Sequence, residues 1–522
     1  MMIAETQSRI QAALQVQDFE SAALIAEAAV ASGEEHETLF RLAALGRQAT
    51  GDLRGAADML LNAVQLSPHD PTILVAAGDA LRQVGQLQHG VMLFDDAIAR
   101  DGSMVAAWYG RALALEAAGA LDDARASYQR VTELAPHTAP GFAGLSTTNA
   151  QLGNTDAARR FATQAHQIAS NDPAACMALA RCEMADGNFA EAVQLLRQTA
   201  LDQVDLLTLL GDALDRLGNF DDAFDAYAAA NQRFAHVYGG SAAPNAMRDR
   251  LLAIENAVAH LNPVARYVPE TLAPAASHVF LLGYPRSGTT LVEQALASLP
   301  HVVTLEEALT LDDAQAFLTG DGVARLSTLT DVEIDDLRTA YWRRVADLGV
   351  DVVGKTFVDM DPSKSMGLPV IARLFPDAKI IVMRRDPRDV IWSCFRRAFV
   401  YSAMTLEFSS LDRAAHHYEA VMRLTRTCLA TLPLNHHILV YEDLVRDFDA
   451  TTRALCDFIA IAWSADMRDF GATARAGRVR TASAEQVRQS LFDGSGQWRN
   501  YAHQLAGVLP ILEPWADPYA AA

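Results

Sequence analysis

Apolar positions fall into two regimes along the 522-residue chain. Up to about residue 235 they recur at helical spacing, and the segments are separated by glycines followed by a turn-like or polar residue. Gly51, Gly85, Gly119, Gly153 and Gly187 follow one another at 34-residue intervals, and Gly218 comes 31 later. Five positions after each stands a small residue (Ala56, Gly90, Ala124, Ala158, Ala192, Ala223). Seven positions before stands another (Ala44, Gly78, Ala112, Ser146, Ala180, Gly211). From Val279 the pattern changes to short apolar runs, "VFLL", "DVVG", "KIIVM" and "HHILVY", separated by helical segments such as "TLVEQALASL". Alternating strands and helices predict a parallel sheet covered on both faces, with ligands at the carboxyl ends of its strands.

A 34-residue period with small residues at two fixed places is the signature of the tetratricopeptide repeat. Each repeat is two antiparallel helices, and a large side chain at either contact would force them apart. The spacing predicts six repeats over residues 1–235, with "QDFESAALIAEAAVASG" as the second helix of an earlier partial one, stacked into a superhelix with a docking groove. Residues 236–275 read as a linker: a turn-rich start, one helix in "MRDRLLAIENAVAHL", then a proline-rich stretch.

Composition narrows the partners. A net charge of −21 argues against general nucleic-acid binding, because phosphate backbones repel such a field. No apolar run is long enough to span a bilayer. The amino-terminal "MMIAETQSRI" has acid and amide residues where a signal peptide needs a basic start. Five cysteines, odd in number and without a C-x-x-C pair, fit reduced thiols and no zinc site. A cytoplasmic location is therefore expected. Lysine occurs only at 355, 364 and 379, so each is worth inspection.

The chemistry concentrates in "HVFLLGYPRSGTTLVEQ". A strand, a glycine-bounded turn and a helix start form a nest of inward-pointing N–H groups for a tetrahedral oxyanion. Arg286 adds a forked cation, and Thr289 stands where a P-loop nucleotidase carries lysine. "KIIVMRRD" ends in Asp386, but the two preceding arginines suit an anion better than a magnesium ion. No metal is expected.

"GYPRSGTT" resembles the 5′-phosphosulfate loop of sulfotransferases, and "RRDPRDVIWSCF" resembles their 3′-phosphate site, with Arg385 and Ser393 eight residues apart. The resemblance covers about residues 276–520 and is nearest to tyrosylprotein sulfotransferases and to bacterial sulfotransferases preceded by tetratricopeptide repeats. It implies a P-loop-like parallel-sheet domain over 276–522 and 3′-phosphoadenosine 5′-phosphosulfate (PAPS) as co-substrate. It places Pro285, Arg286, Ser287, Gly288, Thr289 and Thr290 around the phosphosulfate. Phe357 stands where the histidine-based enzymes carry their base, whereas Glu307 lies 21 residues after Arg286, as the tyrosylprotein type places its glutamate base. Glu307 is therefore the expected base and Glu306 a helix-terminal charge. Lys355, read as following a "DVVG" strand, is the expected second cation beside Arg286, and His301 is the nearest rival base. The resemblance further implies donor contacts from Tyr441 and Ser483. Where relatives place a later lysine this chain has Trp498 and Arg499, and Arg499 takes that role. The expected acceptor is a peptide tyrosine or a glycan hydroxyl recruited by the repeats, in a chain that dimerises. A P-loop kinase or nucleotidase and a catalytically inactive adaptor are the competing readings.

Overall fold

The computed structural model describes residues 2–239, 245–261, 267, 273–318, 322–472, 491 and 493–517. The chain divides into two compact units, 1–242 with 400–406, and 243–399 with 407–522.

The first unit is a helical solenoid. Its sequence-contiguous part runs from α1 (Ala4–Gln15) and α2 (Phe19–Ala31) through α3 (Glu37–Ala49), α4 (Leu53–Leu66), α5 (Pro71–Gln83), α6 (Leu87–Arg100) and α7 (Val105–Ala117). It continues with α8 (Leu121–Leu134), α9 (Ala139–Gln151), α10 (Thr155–Ile168), α11 (Pro173–Ala185), α12 (Phe189–Leu196), α13 (Val204–Arg216) and α14 (Phe220–Tyr238). These make seven hairpins rather than six, because α1 supplies the partner that the partial repeat lacked. The turn glycines sit between the two helices of their hairpins with φ of 73–84°, a conformation that L side chains avoid. Next in the chain, Asp52 caps α4 by accepting from the Gly55 N–H at 2.9 Å. Both sets of small residues are buried; at Gly211 a Cβ would stand 2.6 Å from the Tyr227 ring, so the sequence period records helix contacts.

In the second unit, α15 (Ala246–Ala259) belongs to the same compact body as the sheet and is no free linker: Glu255 pairs with Arg423, at 3.1 Å. Among the described residues the sheet has five parallel strands: β1 (Ser277–Leu282), β2 (Val302–Glu306), β3 (Thr356–Met360), β4 (Lys379–Arg384) and β5 (Asn435–Val440). Their order is β2-β3-β1-β4-β5, so the chain leaves β1 to one side and later crosses to the other. That arrangement opens a crevice at the carboxyl end of β1.

Alternation within β1 sets the two layers. Val279 and Leu281 face α16 (Thr289–Ala297) through Leu291, Val292 and Leu296, while His278 and Phe280 join Tyr341 and Phe375 on the opposite face. Two expectations change here. "DVVG" is not a strand; the strand is "TFVDM", beginning at Thr356. "VVTLE" is a strand that its mixed pattern concealed, because β2 is an edge strand with only Val302 buried.

Candidate active site

Each strand delivers its polar residues to the same rim. After β1, Gly283 to Gly288 form a tight loop in which the Ser287 N–H bonds the Tyr284 carbonyl at 3.0 Å. Ser365 holds the entry from both sides, with its Oγ 3.0 Å from the Gly283 nitrogen and 2.7 Å from the Gly283 oxygen. Gly288 has φ 104°, and a Cβ there would lie 2.8 Å from the Tyr441 ring. The loop ends in α16, whose first N–H groups lack intrahelical acceptors and carry the positive end of the helix dipole. Thr289, Thr290 and Ser287 are buried there, and the Ser287 Oγ has no protein hydrogen-bond partner.

Arg286 has left-handed backbone (φ 71°) and a buried side chain. Its Nε donates to the Ser393 Oγ at 3.0 Å, and its carbonyl accepts from Arg385 at 3.0 Å. Burial, then Arg397, Arg385 and Arg396, push the Arg286 pKa down to about 9. Four guanidinium groups thus share one region, as a multiply charged anion would require. Arg385 lies 4.5 Å over the Tyr441 ring and donates to the Gly494 carbonyl, while its buried Nε has no partner. The Gly494 N–H in turn donates to the Tyr441 hydroxyl at 3.3 Å. Asp389, fully buried, accepts from the Gly496 and Trp498 N–H groups at 2.6 and 2.9 Å and anchors this segment.

Glu307 stands at the end of β2 with φ 43°, its N–H donating to the Met360 carbonyl of β3 at 2.7 Å. Although exposed at the rim, it is crowded enough that burial, then Asp361 and Glu306, raise its pKa to about 7; Arg286 and Lys364 act against the rise. Lys364, after β3, is buried and donates to Asp359 at 2.5 Å; Asp359 also accepts from Thr310 and Tyr341, each at 2.8 Å. Behind Glu307, the carboxyl of Glu293 on α16 is buried and pushed up to about 8 by desolvation, then by Glu306.

Arg286, Ser287, Gly288, Thr289, Thr290, Arg385, Ser393, Tyr441 and Glu307 therefore come together, with Pro285 inside the loop. Lys355 does not. It precedes β3, and its carbonyl accepts from Ala276 at the start of β1, so it lies at the opposite edge of the sheet, roughly 20 Å away for a six-residue strand. There it pairs with Asp351 at 3.0 Å. The misplaced strand moved the expected cation to the wrong end, whereas Lys364, after β3, lies near enough to act on the Glu307 carboxyl. His301, before β2, lies at that same far edge. Arg499 is exposed, 5.8 Å from the Trp498 ring, and Ser483 lies outside the described residues. Lys364 carried a signal in the sequence, being one of three lysines and following the apolar run by a few residues. Asp389 carried none.

Residues 278–465 match the sulfotransferase family model, and residues 75–138 and 150–205 match tetratricopeptide-repeat models. The carboxyl-terminal half carries a sulfotransferase-family domain. A protein-tyrosine sulfotransferase 1 of Danio rerio is 27% identical over 197 residues, 36% of this chain and 54% of that protein. A putative protein-tyrosine sulfotransferase of Caenorhabditis briggsae is 33% identical over 124 residues, 23% and 43% respectively. An uncharacterized protein of Aquifex aeolicus is 25% identical over 323 residues, 58% and 41%. The chain spans about half the length, or less, of these relatives. Among solved structures, a tetratricopeptide repeat protein from Parabacteroides merdae is 15% identical, covering 44% of this chain and 92% of that one, with a TM-score of 0.39. Among the described residues no helix is long and apolar enough to cross a membrane, and no group of three or more His, Cys, Asp or Glu could hold a metal ion.

Proposed function

We propose that the protein transfers a sulfuryl group from PAPS to an acceptor hydroxyl, a peptide tyrosine or a glycan, with Glu307 as general base. The observation that carries this reading is the meeting, at one rim, of an oxyanion nest, four arginines and a carboxylate of raised pKa. The fit to the donor is supported by buried donors lacking protein partners, Ser287 Oγ and Arg385 Nε, and by the close approach of Gly288 to Tyr441.

In the transfer, a lone pair of the acceptor oxygen forms the new O–S bond. The bond from sulfur to the 5′-phosphate oxygen breaks, its electron pair leaves on the phosphate, and the acceptor proton goes to the Glu307 carboxylate. Arg286 and the α16 N–H groups meet charge on the leaving phosphate, and Lys364 meets charge on the sulfuryl oxygens. Ser393, Arg385 and Tyr441 hold the nucleotide's 3′-phosphate end, with Arg499 and Ser483 as further contacts.

We assign acceptor recruitment to the repeats, and a homodimer in a cytoplasmic setting belongs to the same reading; sedimentation and cell fractionation test these two. The catalytic reading is tested by incubating the full-length protein with ³⁵S-labelled PAPS and a lysate. Covalent label in a protein or glycan, absent with Glu307→Gln, is the expected result. An absence of labelled product from a protein that binds the donor would refute it.

A further inference from the structure

Behind the rim, a run of buried hydrogen bonds ends on Lys364. Alternation along β3 turns Phe357 and Asp359 to the face that carries His278, Phe280, Tyr341 and Phe375. Asp359 is thus a carboxylate with no exposed surface in an aromatic layer. Three donors converge on it: Lys364 Nζ on Oδ1 at 2.5 Å, and the hydroxyls of Thr310 and Tyr341 on Oδ2 at 2.8 Å each. One step further back, His278 Nε2 lies 2.8 Å from the Tyr341 hydroxyl oxygen. An ionised carboxylate only accepts, so the Tyr341 proton points to Asp359 and His278 Nε2 donates to Tyr341. Burial, then Arg338 and Lys364, push the His278 pKa down to about 3, so the imidazole stays neutral and the chain of bonds keeps its direction at neutral pH.

What this chain achieves is at its Lys364 end. A buried ion pair seldom adds stability over apolar side chains of the same size, which favours a role in placement. A lysine ammonium rides on a flexible four-carbon stem, and only fixed partners hold it in one position. Lys364 lies on the 3₁₀ turn Pro362–Gly367, whose Ser365 grips Gly283 at the start of the anion loop. From there its charge acts on the Glu307 carboxyl. An ammonium has three donors, and Asp359 engages one of them.

We propose that Tyr341 is a positioning residue for sulfuryl transfer: through Asp359, with Thr310 beside it and His278 behind it, it fixes the Lys364 ammonium where charge develops on the sulfuryl oxygens. The proposal rests on the sulfotransferase reading above. It adds a side chain, on the helix Asp331–Asp347, that touches neither donor nor acceptor. The acceptor oxygen still bonds to sulfur, its proton still goes to Glu307, and the electron pair still leaves on the 5′-phosphate; Tyr341 sets only where the cation stands. An interaction made in the transition state alone acts on kcat and leaves ground-state binding as it was.

The test compares the full-length wild type with Tyr341→Phe, which keeps the ring in the aromatic layer, and with Thr310→Val, which keeps the side-chain shape. Turnover is followed with ³⁵S-labelled PAPS and whichever of a tyrosine-containing peptide and methyl glucoside takes label. In each variant kcat is expected to fall about tenfold, the size of one hydrogen bond to an ionised group, with the acceptor KM and the affinity for 3′-phosphoadenosine 5′-phosphate unchanged. Because the chain has lysine only at 355, 364 and 379, ¹⁵N-lysine labelling gives three ammonium signals, and Lys364→Arg identifies the one from Lys364. Tyr341→Phe is expected to shift that signal and quicken its exchange with water, leaving the other two in place. Should Tyr341→Phe fail to fold, Thr310→Val carries the same two readouts. An unchanged kcat overturns the proposal, as does an unmoved Lys364 signal. A loss of kcat matched by a loss of bisphosphate affinity overturns it too, since that is general damage to the fold. If the wild type neither binds the bisphosphate nor transfers label, the sulfotransferase reading fails instead, and the ammonium signal still decides whether Tyr341 holds Lys364.

Discussion

Glu307→Gln removes the proton acceptor while keeping the side-chain shape and the hydrogen bond from its own N–H to the Met360 carbonyl. Loss of a positioned base typically costs about 10²- to 10⁴-fold in rate, so kcat is expected to fall by that factor. The sign of the pH dependence follows from the carboxyl being raised to about 7 by burial, then by Asp361 and Glu306. Below that value the group holds a proton and cannot accept another. Roughly one molecule in eleven is competent at pH 6 and ten in eleven at pH 8, so kcat/KM of the wild type should rise about tenfold between them. The variant should lose this limb. It should bind 3′-phosphoadenosine 5′-phosphate at least as tightly as wild type, because a negative charge near the anion has gone. Stopped-assay kinetics from pH 5.5 to 8.5, with calorimetry on both proteins, supply the numbers. A variant that keeps full turnover, or keeps the acid limb, refutes the role of Glu307.

Glu293, protonated in the fold up to about pH 8 but ionised above about 4.5 when unfolded, should make the wild type lose stability as pH rises between those values. Glu293→Gln removes that loss: chemical denaturation should show a gain on the order of a few kcal/mol at pH 8.5 relative to pH 4.5, and a pH-independent difference would contradict it. Lys364→Met leaves Asp359 buried and uncompensated, so it should abolish turnover and cost about 3–5 kcal/mol of stability, whereas Lys355→Met at the far edge should change neither turnover nor melting temperature. Gly288→Ala sets a Cβ 2.8 Å from the Tyr441 ring at a φ of 104° and should lower nucleotide affinity at least about tenfold by calorimetry, with the solenoid's helical signal intact.

The solenoid was legible because its period is a packing requirement. A residue that must be small where two helices touch repeats at fixed intervals, as Ala44, Ala56 and their counterparts do, and nothing else in the sequence is needed. The terminal hairpin was less legible, since α1 has only Ile10 buried and little apolar patterning to betray it. In the second unit the central strands β1 and β4 announced themselves as apolar runs, buried on both faces. The anion loop was legible for a related reason: Gly288 and Arg286 occupy backbone conformations that few residues tolerate. β3 was misread because its buried Asp359 breaks the run, although that aspartate is neutralised in the fold by Lys364. One misplaced strand end moved the second cation across the whole sheet. The anchoring of Gly496 and Trp498 by Asp389 joins residues over a hundred apart and has no local signature.

The most direct test is a calorimetric titration of 3′-phosphoadenosine 5′-phosphate into the full-length protein in EDTA, repeated with Arg385→Ala and with ATP and magnesium. One-site binding that needs no metal, weakens at least about tenfold without the Arg385 guanidinium and exceeds that of ATP is the expected result. Silence toward the bisphosphate, with magnesium-dependent binding of ATP at the same loop, would contradict it.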